Sequence, residues 1–140
     1  MKTILNFISI GLYTLVGVIS LVMAYKSICS KQFISFHKKA VGKTLDSYDK
    51  PIQYVILALM KVSGLGFIII GLLLLIFPIL YNRSTDYFLK YSIPIISSIF
   101  CLGLFIINLR LSILTKSKTP WKGSLLALLM IIIGIIISSL

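Results

Sequence analysis

The 140-residue chain contains no glutamate and only three aspartates, Asp46, Asp49 and Asp86. None of the three lies in a long apolar run. The intramembrane carboxylate on which proton-coupled small transporters depend is therefore missing. There is one histidine, His37, and the two cysteines, Cys29 and Cys101, sit in different segments with no C-x-x-C spacing. That excludes a disulfide framework and paired-thiol redox chemistry, and leaves both cysteines as small apolar residues. A metal site needs three or four ligands at defined spacing, so neither a metal nor another cofactor is expected. A nucleotide-binding glycine loop, a zinc-helix motif and a serine elbow are also absent. Charged residues are scarce at 12%, against roughly 25% in soluble domains, which excludes a water-soluble globule. A hydrophobic content of 59% excludes disorder, which needs a weakly apolar chain.

What is present is grease and lysine. The mean hydropathy is +1.08, and the apolar residues gather into four runs. Span one is Ile4–Tyr25, span two lies within Pro51–Leu80 and is counted from Tyr54, span three is Tyr87–Leu109, and span four is Trp121–Leu140. Each reaches the roughly 20 residues that cross a bilayer as a helix. Unbroken tracts such as Leu72–Ile76 and Ile131–Ile137 lack the alternation of a barrel strand, and backbone groups in lipid must be satisfied within the segment. The fold class expected is an all-α membrane protein, a four-transmembrane-helix bundle forming one integral membrane domain over residues 1–140. Ile4–Tyr25 is longer than the roughly 7–15 apolar residues of a cleaved signal peptide and runs into basic residues, so it reads as a retained span.

Fourteen Lys and Arg against the three aspartates give +11. The basic residues fall between apolar runs, which fits membrane orientation and anionic head groups rather than nucleic acid. The connections are loop one, Lys26–Lys50, the short loop two, Tyr81–Asp86, and loop three, Arg110–Pro120. Loops one and three with the first turn of span four hold ten cations: Lys26, Lys31, Lys38, Lys39, Lys43, Lys50, Arg110, Lys116, Lys118 and Lys122. The opposite side holds three, Lys2, Arg83 and Lys90, and Lys61 lies inside span two. The positive-inside rule then predicts loops 26–50 and 110–120 in the cytoplasm and both termini outside, in a multi-pass protein of the cytoplasmic (inner) membrane. Within loop one, Phe33, Phe36, Ala40 and Val41 follow helical spacing beside Lys38, Lys39 and Lys43, the pattern of a short interfacial helix. Span two exceeds the bilayer, so its helix is expected to start in the interface near Asp49 and Pro51, where proline suits a first turn.

At 100° per residue, small and weakly polar side chains align into seams. Span one carries Asn6, Tyr13, Gly17, Ser20 and Ala24; span two Gly64, Gly71 and Pro78; span three Lys90, Pro94, Cys101 and Asn108, with Ser97 at the edge. Span four carries Gly123, Ala127, Gly134 and Ser138, interrupted by Ile131. Such residues let membrane helices approach closely, so Gly17, Ser20, Gly64, Gly71, Cys101, Gly123, Ala127 and Gly134 are read as packing positions in a compact bundle. The candidate contacts for lipid or another anion are Lys61, His37, Lys38, Lys39, Gln53, Asn108 and Arg110, with Tyr54 nearby, because all gather on the basic side. Lys61 either turns inward beside the glycine strip or snorkels to the head groups.

The stretch Phe36-His37-x-x-Ala40-Val41-Gly42-Lys43, followed by Asp49, Gln53 and Leu57-Ala58-Leu59-Met60-Lys61-Val62-x-Gly64-x-Gly66, resembles small bacterial four-span membrane proteins of uncharacterised activity. The resemblance covers residues 36–66 and implies a class without an activity. The charged span residues of glutathione-binding four-span enzymes and of small multidrug exporters are not found. The reading from the residues is a non-enzymatic accessory or self-associating component, with a basic cytoplasmic face for anionic lipid or an acidic membrane-protein partner. Two alternatives belong to other classes. One is an oligomeric small transporter or channel. The other is a lipid-modifying enzyme using His37 with Asp46 or Asp49.

Overall fold

A computed structural model of the chain describes residues 2–83 and 87–139. Five helices follow in order: α1, Lys2–Cys29; α2, Ser35–Val41; α3, Lys50–Arg83; α4, Tyr87–Thr115; and α5, Trp121–Ser139. A single 3-10 turn, Leu45–Ser47, joins α2 to α3. There is no strand among the described residues. Stretches Ile4–Cys29, Lys50–Leu80, Tyr91–Thr115 and Trp121–Ser139 are each long and apolar enough to cross a membrane. The molecule is a four-helix membrane bundle with one short helix lying in the first connection.

The long helices overrun the apolar limits read from sequence. Loop one was expected to begin at Lys26, yet α1 continues to Cys29. Loop two was expected from Tyr81, yet α3 continues to Arg83, and Ser84, Thr85 and Asp86 lie outside the described residues. Loop three was expected at Arg110, yet α4 continues to Thr115. Hydropathy marks where lipid ends, whereas a helix ends only where its backbone finds a terminator. In α3, 34 residues at about 1.5 Å each exceed the roughly 30 Å hydrocarbon core by several turns.

The short helix forms where the aromatic spacing in loop one predicts it. It stops at Gly42, whose φ of 70° is left-handed and whose N–H donates to the Lys38 carbonyl at 2.9 Å. Glycine adopts that conformation without steric penalty, which is why helices so often end there. Past it, Leu45 is buried as an anchor. Gln53 Nε2 donates to the Tyr48 carbonyl at 2.7 Å, tying the start of α3 back to the connection.

Around the ring, α1 lies between α3 and α5, and α4 packs on α5, while α3 and α4 touch least. The seams explain the close pairs. A Cβ on Gly17 would sit 3.1 Å from the Gly71 carbonyl; one on Gly64 would meet Ile28 at 2.6 Å; one on Gly134 would meet the Tyr13 ring at 2.6 Å. Gly17 and Gly71 thus bring two backbones together, while Gly64 and Gly134 make room for a side chain of the facing helix. The core they frame holds Tyr13, Val16, Ile70, Leu74, Phe77, Ile93 and Ile131. Tyr13 meets Phe77 edge to face at 5.0 Å, and Leu74 and Ile131 are 0% exposed.

Candidate functional site

That core fills only one half of the bundle. The seams predict a compact interior throughout. In the half that carries loops one and three, the four long helices instead surround a cavity of about 580 Å³. Its lining runs from Val16 to Ser27 on α1, from Ile56 to Phe67 on α3 and from Phe100 to Leu111 on α4. Each stretch rises about 16 Å along its helix. The floor is the edge-to-face contact of Phe67 with Phe100, 5.5 Å between centroids, where α3 and α4 meet. Above that contact the two helices part. Leu59 on α3 is 62% exposed and Ile107 on α4 is 64% exposed although both line the cavity, so it opens to the surroundings.

Polarity is graded along the cavity. The deep end is formed by Val16, Phe67, Phe100 and Ala127, with Met23, Met60 and Leu104 above them. Apart from Ser20 and Ser63, one turn above the floor, the polar lining residues lie towards the loops: Ser27, His37, Tyr48, Asn108 and Ser124. Phe33, Phe36, His37 and Tyr48 gather at the mouth. The His37 ring lies tilted against Phe36 with centroids 4.0 Å apart, and Phe33 meets Tyr48 edge to face at 6.3 Å. The short helix thus turns its aromatic face inward. His37 is half buried, its Nδ1 has no hydrogen-bond partner, and burial holds its pKa below the ordinary 6.5 by disfavouring the imidazolium.

The turn from α4 to α5 closes the mouth on the opposite side. Thr119 Oγ1 donates to the Asn108 carbonyl at 2.7 Å, and Asn108 Nδ2 donates to Ser124 Oγ at 3.2 Å. Ser112 Oγ donates to the Ser117 carbonyl at 2.8 Å. Lys116, at φ 50°, makes the bend. These bonds tie the turn to the last two turns of α4 and to the first turn of α5.

The sequence-selected residues distribute as follows. His37 and Asn108 line the cavity, and Asn108 also ties α4 to α5. Gln53 serves the start of α3. Lys38, Lys39 and Arg110 are exposed next to, but outside, the lining. Lys61 is exposed on α3 and is absent from the lining, although Met60 and Ser63 beside it belong to it. Of the packing positions, Gly17, Ser20, Gly64, Gly71, Cys101 and Gly134 are buried and Ala127 is half-buried against the core. Gly123 is different: it is exposed, a Cβ there would meet nothing within 4 Å, and it lines the cavity. The side chain of Lys90 lies outside the described residues. All ten cations counted on the loop-one side are exposed, as are Asp46 and Asp49.

Sequence reasoning missed Ser27, Tyr48, Ser63, Phe67, Phe100 and Ser124. One signal was available: Ser27 follows Ser20 by seven residues, so it continues the seam of α1 past the point where hydropathy ended the span. Among the described residues no group of three or more His, Cys, Asp or Glu could hold a metal ion. Comparison of the chain with protein-family models, curated proteins and solved structures finds no match.

Proposed function

We propose that this small polytopic membrane protein is a non-enzymatic accessory or self-associating component of the bacterial inner membrane, with its basic end in the cytoplasm bound to anionic head groups. One observation carries this reading: the ten cations of loops one and three with the first turn of α5 are all exposed. The short helix supports it, since Lys38 and Lys39 face outward while Phe36 and His37, with Phe33 just before the helix, turn to the cavity. Basic side chains near an anionic surface contribute roughly 1 kcal/mol each. The resemblance of residues 36–66 to small bacterial four-span proteins agrees with this class of protein. An acid–base site built on His37 finds little support, because no carboxylate holds its Nδ1 in the manner that orients a catalytic imidazole.

Cys29 supplies the orientation test, being exposed at the basic end while Cys101 is buried. A membrane-impermeant maleimide is expected to label Cys29 in inverted vesicles and to leave it unmodified in intact cells. Labelling in intact cells would reverse the topology. For the head groups, protein in phosphatidylcholine bilayers containing a minority of phosphatidylglycerol is expected to retain the anionic lipid preferentially in native mass spectrometry. Replacing Lys38 and Lys39 by alanine should weaken that preference, and an unchanged lipid profile would remove the head-group reading.

A further inference from the structure

We infer that the cavity seats one acyl chain of an anionic glycerophospholipid, drawn sideways from the leaflet on the basic side, with its phosphate held at the mouth among Lys38, Lys39 and the neighbouring cations. This rests on the head-group reading above and adds a bound chain to it.

Four features support the assignment. The depth of about 16 Å along three helices is half of the roughly 30 Å hydrocarbon core, so the cavity spans one leaflet. Its volume of about 580 Å³, at the ~30 Å³ of a water-sized group, has room for about twenty non-hydrogen atoms, which is one chain and not two. Its deep end offers Val16, Phe67, Phe100 and Ala127, where water would lack the two to four polar partners it needs. Its side opens between α3 and α4, where the lining residues Leu59 and Ile107 are exposed, and the acyl chains of the leaflet lie against that opening.

The mouth matches the other end of an amphiphile. His37 Nδ1 is buried there without a partner. Four of the five helices that line the cavity carry a cation next in sequence to a lining position near the loops: Lys26 beside Ser27, Lys38 beside His37, Arg110 beside Leu111 and Lys122 beside Gly123. A phosphate at that level gains charge-assisted contacts while its chain follows the polarity gradient downward.

The test uses phosphatidylglycerol bearing a diazirine midway along one acyl chain, diluted into phosphatidylcholine vesicles containing the full chain. Illumination is expected to attach the probe to peptides holding Met23, Met60 and Leu104. Gly123→Phe places a ring in open space within the cavity, and Ser63→Phe does so from α3. Displacing two or more methylenes, at about 0.8 kcal/mol each, should lower cavity labelling about tenfold in both variants. The same diazirine chain on phosphatidylcholine should label the cavity several-fold less. Labelling confined to outward residues such as Leu65, Ile69 and Ile133, unchanged in either variant, would overturn the seated chain, and if phosphatidylglycerol is still retained the head-group reading survives alone. Cavity labelling by the phosphatidylcholine probe equal to that by phosphatidylglycerol would overturn the anionic assignment.

Discussion

The two halves of the bundle are made of the same residue types and differ in what fills the space between helices. In the half holding Tyr13, Leu74, Phe77, Ile93 and Ile131, buried aromatic and branched side chains from all four long helices join in one packed cluster. In the half holding Met23, Met60, Leu104 and Ile107, the same kind of side chain lines an open space. Hydropathy and residue type therefore do not distinguish a sealed core from a recess. What separates them is where the bulky residues sit relative to the glycines. Gly134 receives the Tyr13 ring, whereas Gly123, eleven residues away on the same helix, receives nothing. Lipid is as apolar as leucine, so burial does not drive these helices together, and shape complementarity carries the difference.

The comparison breaks most visibly at Tyr13. Tyr13→Ala empties a position that is 1% exposed and should cost about 3–5 kcal/mol, as large-to-alanine changes in packed cores do. Reversible unfolding in mixed micelles would measure it, and a loss under 1 kcal/mol would mean that this half is not tightly packed. Gly134→Val comes next. Its Cβ would start 2.6 Å from the Tyr13 ring, and overpacking should cost about 1–3 kcal/mol, seen as a lower midpoint in the same assay. Gly123→Ala should go the other way, gaining up to about 1 kcal/mol from helix propensity with no steric penalty. A destabilised Gly123→Ala would show that the recess closes around that residue.

The smallest effect concerns the mouth. His37 titrates below its ordinary 6.5 because burial disfavours the cation. Its contribution to docking of the short helix is thus complete above pH 6.5 and is lost as the pH falls through the lowered folded value. Amide exchange in residues 35–41 is expected to quicken between pH 7.5 and pH 5, at matched intrinsic rates, and His37→Phe should abolish the dependence. Exchange that slows on acidification would contradict the neutral, buried imidazole.

Much of the scaffold can be read from residue order. Length and hydropathy are enough for four crossings, because the bilayer sets a minimum run. The spacing of Phe33, Phe36, Ala40 and Val41 is enough for the short helix. Seams one and two are legible because glycine and serine at helical intervals have few other uses in a span. The recess was not legible. A seam says which face of a helix turns inward, and nothing about the angle at which two helices diverge, so Gly123 looked like another contact. Lys61 shows the same limit: its register next to the glycine strip leaves open which side of α3 it takes. Tyr48 and Phe67 belong to no small-residue seam, and their roles exist only once α2 folds over α4 and Phe100 comes to rest on α3.

The hydrogen-bonded turn between α4 and α5 has a mechanical consequence. Thr119, Asn108 and Ser124 fasten those two helices at the basic end, and the close glycine contacts fasten α1 to α3 along much of their length. The four helices thus behave as two stiff arms. The arms cross at Tyr13 on Gly134 and at Phe67 on Phe100, at and below the floor. A pivot about that fulcrum, as in a clothes-peg, would widen or narrow the recess at the loop end while the sealed half kept its contacts.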